Sequence, residues 1–320
     1  MLKLNNYAWL LAISAALVGG STLLGSGFAA NLCIWLAIST LLAASFRFVQ
    51  LIGELNFALA GFVGVGAYAS GICSTLLSLP FWMGIVAAAA AAGLLGLIGA
   101  FVTLRAKGPY FMLISFAFTE ALRMIYTQIP AIGGNSGMIG IFPPDYLATY
   151  YPAFVVSIVI LLLWALYAIE QSDFGKVLVA IRNSDAVVQA VGINVHWAKV
   201  VCVGISSMAA GICGVLQANT NNVISPGDFS FLLAVYTLAA VKVGGESHIL
   251  GAVLGAVVLT LLSQVALSFG PYEHIFYGAA IVLAVLILPN GLIGVVGQIR
   301  KAFDKQNTQV SRIKRTNHGH

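Results

Sequence analysis

Runs of about 20 apolar residues, the length that crosses the ~30 Å hydrocarbon core of a bilayer as a helix, recur along almost the whole of this chain. Breaking the sequence at its polar and Gly/Pro clusters gives ten segments: residues 7–24, 28–50, 55–79, 81–104, 109–129, 150–169, 197–218, 229–245, 249–270 and 274–296. The eighth is short. The third is glycine-rich (Gly61, Gly64, Gly66, Gly71), the pattern of a broken or partly re-entrant helix. Charge is correspondingly scarce, with 15 Lys and Arg and 10 Asp and Glu in 320 residues. That is too little to cover a soluble core of this size, since an average soluble chain is roughly a quarter charged. A cytosolic enzyme, a disordered chain and a nucleic-acid binder are excluded. The fold class is all-α: a polytopic membrane protein of about ten transmembrane helices.

The 34 glycines imply close helix packing. Cys33, Cys73, Cys202 and Cys213 all fall inside apolar runs without CxxC spacing. They read as packing residues, not as a disulfide or metal set. His196, His248 and His274 have no ligand spacing, so no metal site is expected. No connection is long enough for a soluble domain. Residues 1–298 therefore read as one transmembrane domain and 299–320 as a basic cytoplasmic tail. Lys3, the following apolar run and the small residues Gly27, Ala29 and Ala30 also suit a secretory signal peptide. The repeat described below requires that helix to be retained.

Placement of the charges sets the topology. With the N-terminus inside, the inside connections fall near residues 51–54, 105–108, 170–196 and 246–248. The outside ones fall near 25–27, 80, 130–149, 219–228 and 271–273. Fourteen of the 15 Lys and Arg then lie in inside connections or within snorkelling reach of them, Arg123 being the exception. This positive-inside bias supports ten helices with both termini cytoplasmic.

GELNFALA at 53–60 resembles GDFSFLLA at 227–234, an offset of 174 residues, or five segments. An odd number of helices between the copies means that they enter the membrane from opposite faces. That predicts inverted-topology five-helix repeats, a transporter signature with the solute path at the repeat interface. Within the motif, Glu54 and Asp228 suit helix capping and the positive helix end. Alternatively, Asn56 and Ser230 are polar groups near the two mouths of a pathway, beside Phe57. Glu120 and Arg123, three apart on segment five, share a face. They form either a structural ion pair or, through Arg123, a contact to a substrate carboxylate. Tyr236 and Thr237 are pathway candidates on polarity alone, with packing an equal alternative.

The inside charges concentrate at 170–199, EQSDFGKVLVAIRNSDAVVQAVGINVHWAK. Asp185, Ala186, Ala190 and Gly192 predict a short helix with a small-residue face, ended by glycine. Lys176, Arg182 and Lys199 flank it and would face lipid headgroups or an acidic partner. This stretch resembles the cytoplasmic loop of LivM-type permeases, the membrane subunits of branched-chain amino acid ABC importers. The matches include Phe174, Gly175, Ala180, Ile181, Arg182, Ala186, Gly192, Ile193, Asn194, Val195 and Lys199. RAKGPYFMLISFAFTEALRMI at 105–125, GGNSGMIGI at 133–141, the stretch 226–256 and PNGLIG at 289–294 extend the resemblance over nearly the whole chain.

The resemblance implies a loop that docks on ATPase subunits through Phe174, Gly175, Arg182, Asp185, Ala186, Ala190, Gly192 and Asn194. It implies two ABC ATPase chains carrying ATP and Mg, a second LivH-type permease, a periplasmic substrate-binding protein, membrane lipid around the chain and a bacterial inner-membrane location. This chain has no GxxxxGK[ST] phosphate loop, so no cofactor is expected in it and it is expected to catalyse nothing itself. Departures lie near the pathway: the family's usual His or Gln is missing from GELNFALAG, and Val243–His248 replaces its usual glycine-rich turn. Urea, short amides and aromatic carboxylates therefore stand beside branched-chain or other amino acids as expected solutes. An ion-coupled secondary transporter would leave the 170–196 loop without a role, and no Ser–His, His–Asp or metal constellation supports a membrane enzyme.

Overall fold

A computed structural model describes residues 27–106, 108–287 and 291–294. Segments two to ten each carry a helix. These are α1 (Phe28–Gln50), α2 (Leu59–Gly71), α3 (Phe81–Thr103), α4 (Pro109–Gln128), α6 (Tyr151–Gln171), α9 (Val195–Asn221), α10 (Phe231–Gly244), α11 (Ile249–Ala266) and α12 (Glu273–Ile287). The short helices α5 (Asp145–Ala148), α7 (Asp173–Asn183) and α8 (Asp185–Ala190) lie in the two long connections. Segment 7–24, with its signal-peptide alternative, and the tail 299–320 lie outside the described residues. Among the described residues, six helices are long and apolar enough to cross a membrane. The glycine-rich third segment is continuous from Leu59, its last five residues (Ile72–Leu76) widening into a π turn. Its irregular part is the run Gly53–Ala58 that precedes it.

Two compact units divide after Leu238, within α10. In the first, α9 is the central helix and packs on α1, α2 and α3, while α6 covers α1. Small residues make this possible. A Cβ on Gly66 would overlap the Gly211 carbonyl, and one on Gly214 would overlap that of Val63, so the α2 and α9 backbones touch directly. Polar side chains at these crossings satisfy backbone groups. Ser206 Oγ donates to the Ser45 carbonyl at 2.8 Å, and the buried Cys202 and Cys213 thiols lie against the Phe48 and Ile38 carbonyls. The cysteines are thus free thiols used for packing. In the second unit, Gly251 and Gly255 of α11 approach the last turns of α10 equally closely, and His248 caps α11 by accepting from Leu250 N at 3.2 Å.

Cross-chain contacts sort the connections of the first unit into two ends. At one end, Glu54 accepts from Gly108 N, Arg47 meets Glu170, and Lys199 meets Asp185 and Glu54. At the other, the two-residue strands β1 (Met138–Ile139) and β2 (Val223–Ile224) pair antiparallel, and Tyr151 Oη donates to the Leu216 carbonyl. These are the same two groups of connections that the positive-inside pattern separates.

Candidate functional site

The 170–196 connection folds as two amphipathic helices, each opened by a side-chain cap. Ser172 Oγ accepts from Gly175 N, Ser184 Oγ from Val187 N, and Asn194 Oδ1 from Trp197 N at the start of α9. Gly175 is required by space, because a Cβ there would overlap the Glu170 carbonyl of α6. Gly192 is required by conformation. Its φ of 83° ends α8 in the left-handed region, with open space around it. Phe174 is half-buried and Arg182 exposed, its stem lying over Gly53. On the solvent side, Lys176 donates to Asp173 and holds that carboxyl below its usual range.

Helix α8 presents one apolar face to the outside. Ala186, Val187, Ala190 and Val191 span a contiguous arc at 100° per residue. All four are exposed, Val187 to 65% and Val191 to 74%. On the opposite side, Val188 is buried and Asp185 turns toward Lys199. The loop is held at both ends by ion pairs whose cation is buried. Before it, Arg47 of α1, 2% exposed, makes a bidentate pair with Glu170 of α6 at 2.7 and 2.8 Å. After it, Lys199 of α9 lies 3.3 Å from Asp185 and 3.9 Å from Glu54. This corrects the expectation that Lys199 faces lipid or a partner: it is 6% exposed. Positive-inside logic locates its end of the helix but says nothing of its burial, because its partners are 14 and 145 residues away in sequence. The Arg47–Glu170 pair, 123 residues apart, carries no local signal at all.

The two helix-opening motifs meet at their phenylalanines. Equivalent residues Phe57 and Phe231 meet edge to face with ring centroids 4.9 Å apart, and Phe46 and Phe116 extend the cluster. Asn56 Oδ1 accepts from Ala58 N in the turn that leads into α2. Its Nδ2 is buried without a hydrogen-bond partner among the described residues, as is the Gln50 amide. Asn56 and Ser115 line a narrow crevice of about 10 Å³ beside α3 and α4, about one water in size. Phe57 is pinned to α4 by its backbone: its N–H donates to Ser115 Oγ at 3.0 Å, and Thr119 Oγ1 donates to its carbonyl at 2.8 Å. The two acidic residues at matching positions of the motif act differently. Asp228 closes a capping box with Ser225, whereas Glu54 goes to Gly108 and Lys199.

Glu120 and Arg123 do pair, at 2.7 Å, and Glu120 Oε1 also accepts from Phe231 N at the start of α10. Their side chains are 26% and 33% exposed. Helix α4 has one buried stripe (Phe111, Ser115, Thr119, Leu122, Tyr126) and is too polar overall to count among the six apolar spans. Ser230 is half-buried, and Tyr236 of α10 is 38% exposed. The Thr237 hydroxyl is spent on the Leu233 carbonyl of its own helix.

Comparison with known proteins gives one family and several relatives. The sequence model of the family described as "Branched-chain amino acid transport system / permease component" matches residues 28–286. The chain is 23% identical over 275 residues to the high-affinity branched-chain amino acid transport system permease protein LivM of Escherichia coli K12, a match covering 77% of this chain and 65% of that protein. It is 21% identical over 271 residues to the ribose import permease protein RbsC of Haemophilus influenzae, covering 80% and 83% respectively. It is 28% identical over 250 residues to a probable ABC transporter permease of Sinorhizobium fredii, covering 72% and 70%. With a family match running from the first described helix to the last, the chain belongs to the permease-component family of branched-chain amino acid transport systems.

Proposed function

We propose that the chain is the membrane-spanning subunit of a binding-protein-dependent ABC importer for a small polar solute, an amino acid in the first instance. The carrying observation is the loop at the end of the bundle. A short helix with an exposed apolar face, braced by ion pairs to two buried cations, is a docking element with no use in a transporter that works alone. Two ATPase subunits holding ATP and Mg, a second LivH-type permease and a periplasmic binding protein complete the assembly, in the bacterial inner membrane with both termini of this chain cytoplasmic. This chain itself catalyses no reaction. The similarity to ribose permeases, which covers more of its relative than the LivM match does, supports a sugar as the second reading of the solute.

The solute path runs beside α4 and the openings of α2 and α10. Charged side chains in a membrane helix are costly toward lipid and face a polar cavity or a protein neighbour. A half-exposed Glu120–Arg123 pair on α4 therefore marks a face turned toward the path or the second permease. The unpartnered Asn56 Nδ2 adds a polar donor at the same level of the fold.

Reconstitution of the chain with its ATPases, second permease and binding protein should give ATP-dependent uptake of labelled leucine or, on the second reading, labelled ribose. Uptake by the chain alone, driven by an ion gradient, would reject the importer reading. In the same system Arg123→Ala should still assemble, because Glu120 keeps its bond to Phe231 N. Its uptake at low solute concentration should fall about fivefold or more, the loss of one charge-assisted hydrogen bond. Unchanged uptake would remove Arg123 from the path.

A further inference from the structure

We propose that Lys199 is the positioning residue that transmits movement of α8 to the opening of α2, an inference that rests on reading the 170–196 loop as the ATPase dock. The buried ammonium bridges the start of α8 and the segment that leads into α2. Its Nζ lies 3.3 Å from Asp185, the first residue of α8, and 3.9 Å from Glu54, which precedes α2 by five residues. The other Glu54 oxygen accepts from Gly108 N at 3.0 Å, at the start of α4. Lys199 itself rides near the start of α9, the helix at the centre of the unit.

The side chains of Lys199 and Glu54 are each 7% exposed. Charges withdrawn from water attract strongly and are costly to separate, so a displacement of Asp185 carries Lys199 and Glu54 with it. From Glu54 the movement reaches Phe57, three residues on. The Phe57 backbone is bonded on both sides to α4, through Ser115 and Thr119. A push on α8 is therefore two side-chain links away from the aromatic cluster where the two motifs meet. Neither Asp185 nor Glu54 is held by Lys199 alone, and the stem of Arg182 crosses Gly53 beside them. The role of the ammonium is to make the three elements move together.

The test uses the reconstituted full complex and reads solute taken up per ATP hydrolysed, a ratio that a merely structural residue leaves constant. Lys199→Met should lower that ratio about tenfold while the ATPases stay bound and hydrolysis continues, and Lys199→Arg should restore most of it. Asp185→Asn should lower it in the same direction. The double variant should be no worse than Lys199→Met, because Lys199→Met already breaks the link to Asp185. A ratio within about twofold of wild type in Lys199→Met, or additive losses in the double variant, would overturn the proposal. Should Lys199→Met fail to accumulate in the membrane, Asp185→Asn, whose side chain is 21% exposed, decides alone, and an unchanged ratio there refutes the relay. Failure of the docking reading looks different: the ATPases would then remain bound, with normal uptake, when Val187 on the outer face of α8 is changed to Glu.

Discussion

Gly214→Leu is expected to prevent the first helical unit from assembling. A Cβ at residue 214 would overlap the Val63 carbonyl and lie 2.7 Å from Ala67 N, both backbone atoms of α2. No flexible side chain can yield there. The neighbouring Gly66–Gly211 contact is equally close, so α2 and α9 would have to separate along their whole crossing. Ordinary overpacking costs about 1–3 kcal/mol. Here lost burial adds to it, and roughly 4 kcal/mol or more is expected, the range reserved for severe core defects. Size-exclusion of a fluorescent fusion in mild detergent would read the loss of the monodisperse peak. Gly278→Leu is the control: nothing lies within 4 Å of a Cβ there, and the peak should persist. A monodisperse Gly214→Leu chain with an unchanged thermal midpoint would contradict the packing described.

The same crossing shows how far the sequence can be read. Apolar run length located every described spanning helix, because a helix in lipid must satisfy its own backbone and so declares its length. The glycine excess announced close packing, but which glycines meet is set by the rotation of α2 against α9, which no one-helix pattern encodes. The π turn at Ile72–Leu76 and the two-residue strands at 138–139 and 223–224 were likewise invisible, each being too short to leave a period. At the loop, Asp185 and Gly192 were legible because helix starts and left-handed turns are local chemistry, and the structure gives α8 those boundaries; Asn194, which entered by resemblance, caps α9. The buried pairs were not. Arg47–Glu170 and Lys199–Glu54 join residues more than 100 apart, and a Lys near a helix end reads identically whether it snorkels or is buried. The motif at 53–60 and 227–234 was found as a repeat. That its two phenylalanines would touch is a property of how the helix openings dip into the fold.

The most direct test of the account is Val187→Glu in the reconstituted complex. Val187 is 65% exposed on the outer face of α8, so the substitution should change stability by no more than about 0.5 kcal/mol. If α8 docks in a groove of the ATPase, the new carboxylate is buried there without a partner, at a cost of several kcal/mol. The measurement is co-purification of the ATPase subunits with this chain, together with ATP-driven uptake. The account predicts a folded chain with the wild-type thermal midpoint that loses its ATPases and transports at background level. A Val187→Glu chain that keeps its full complement of ATPases and wild-type uptake would contradict it.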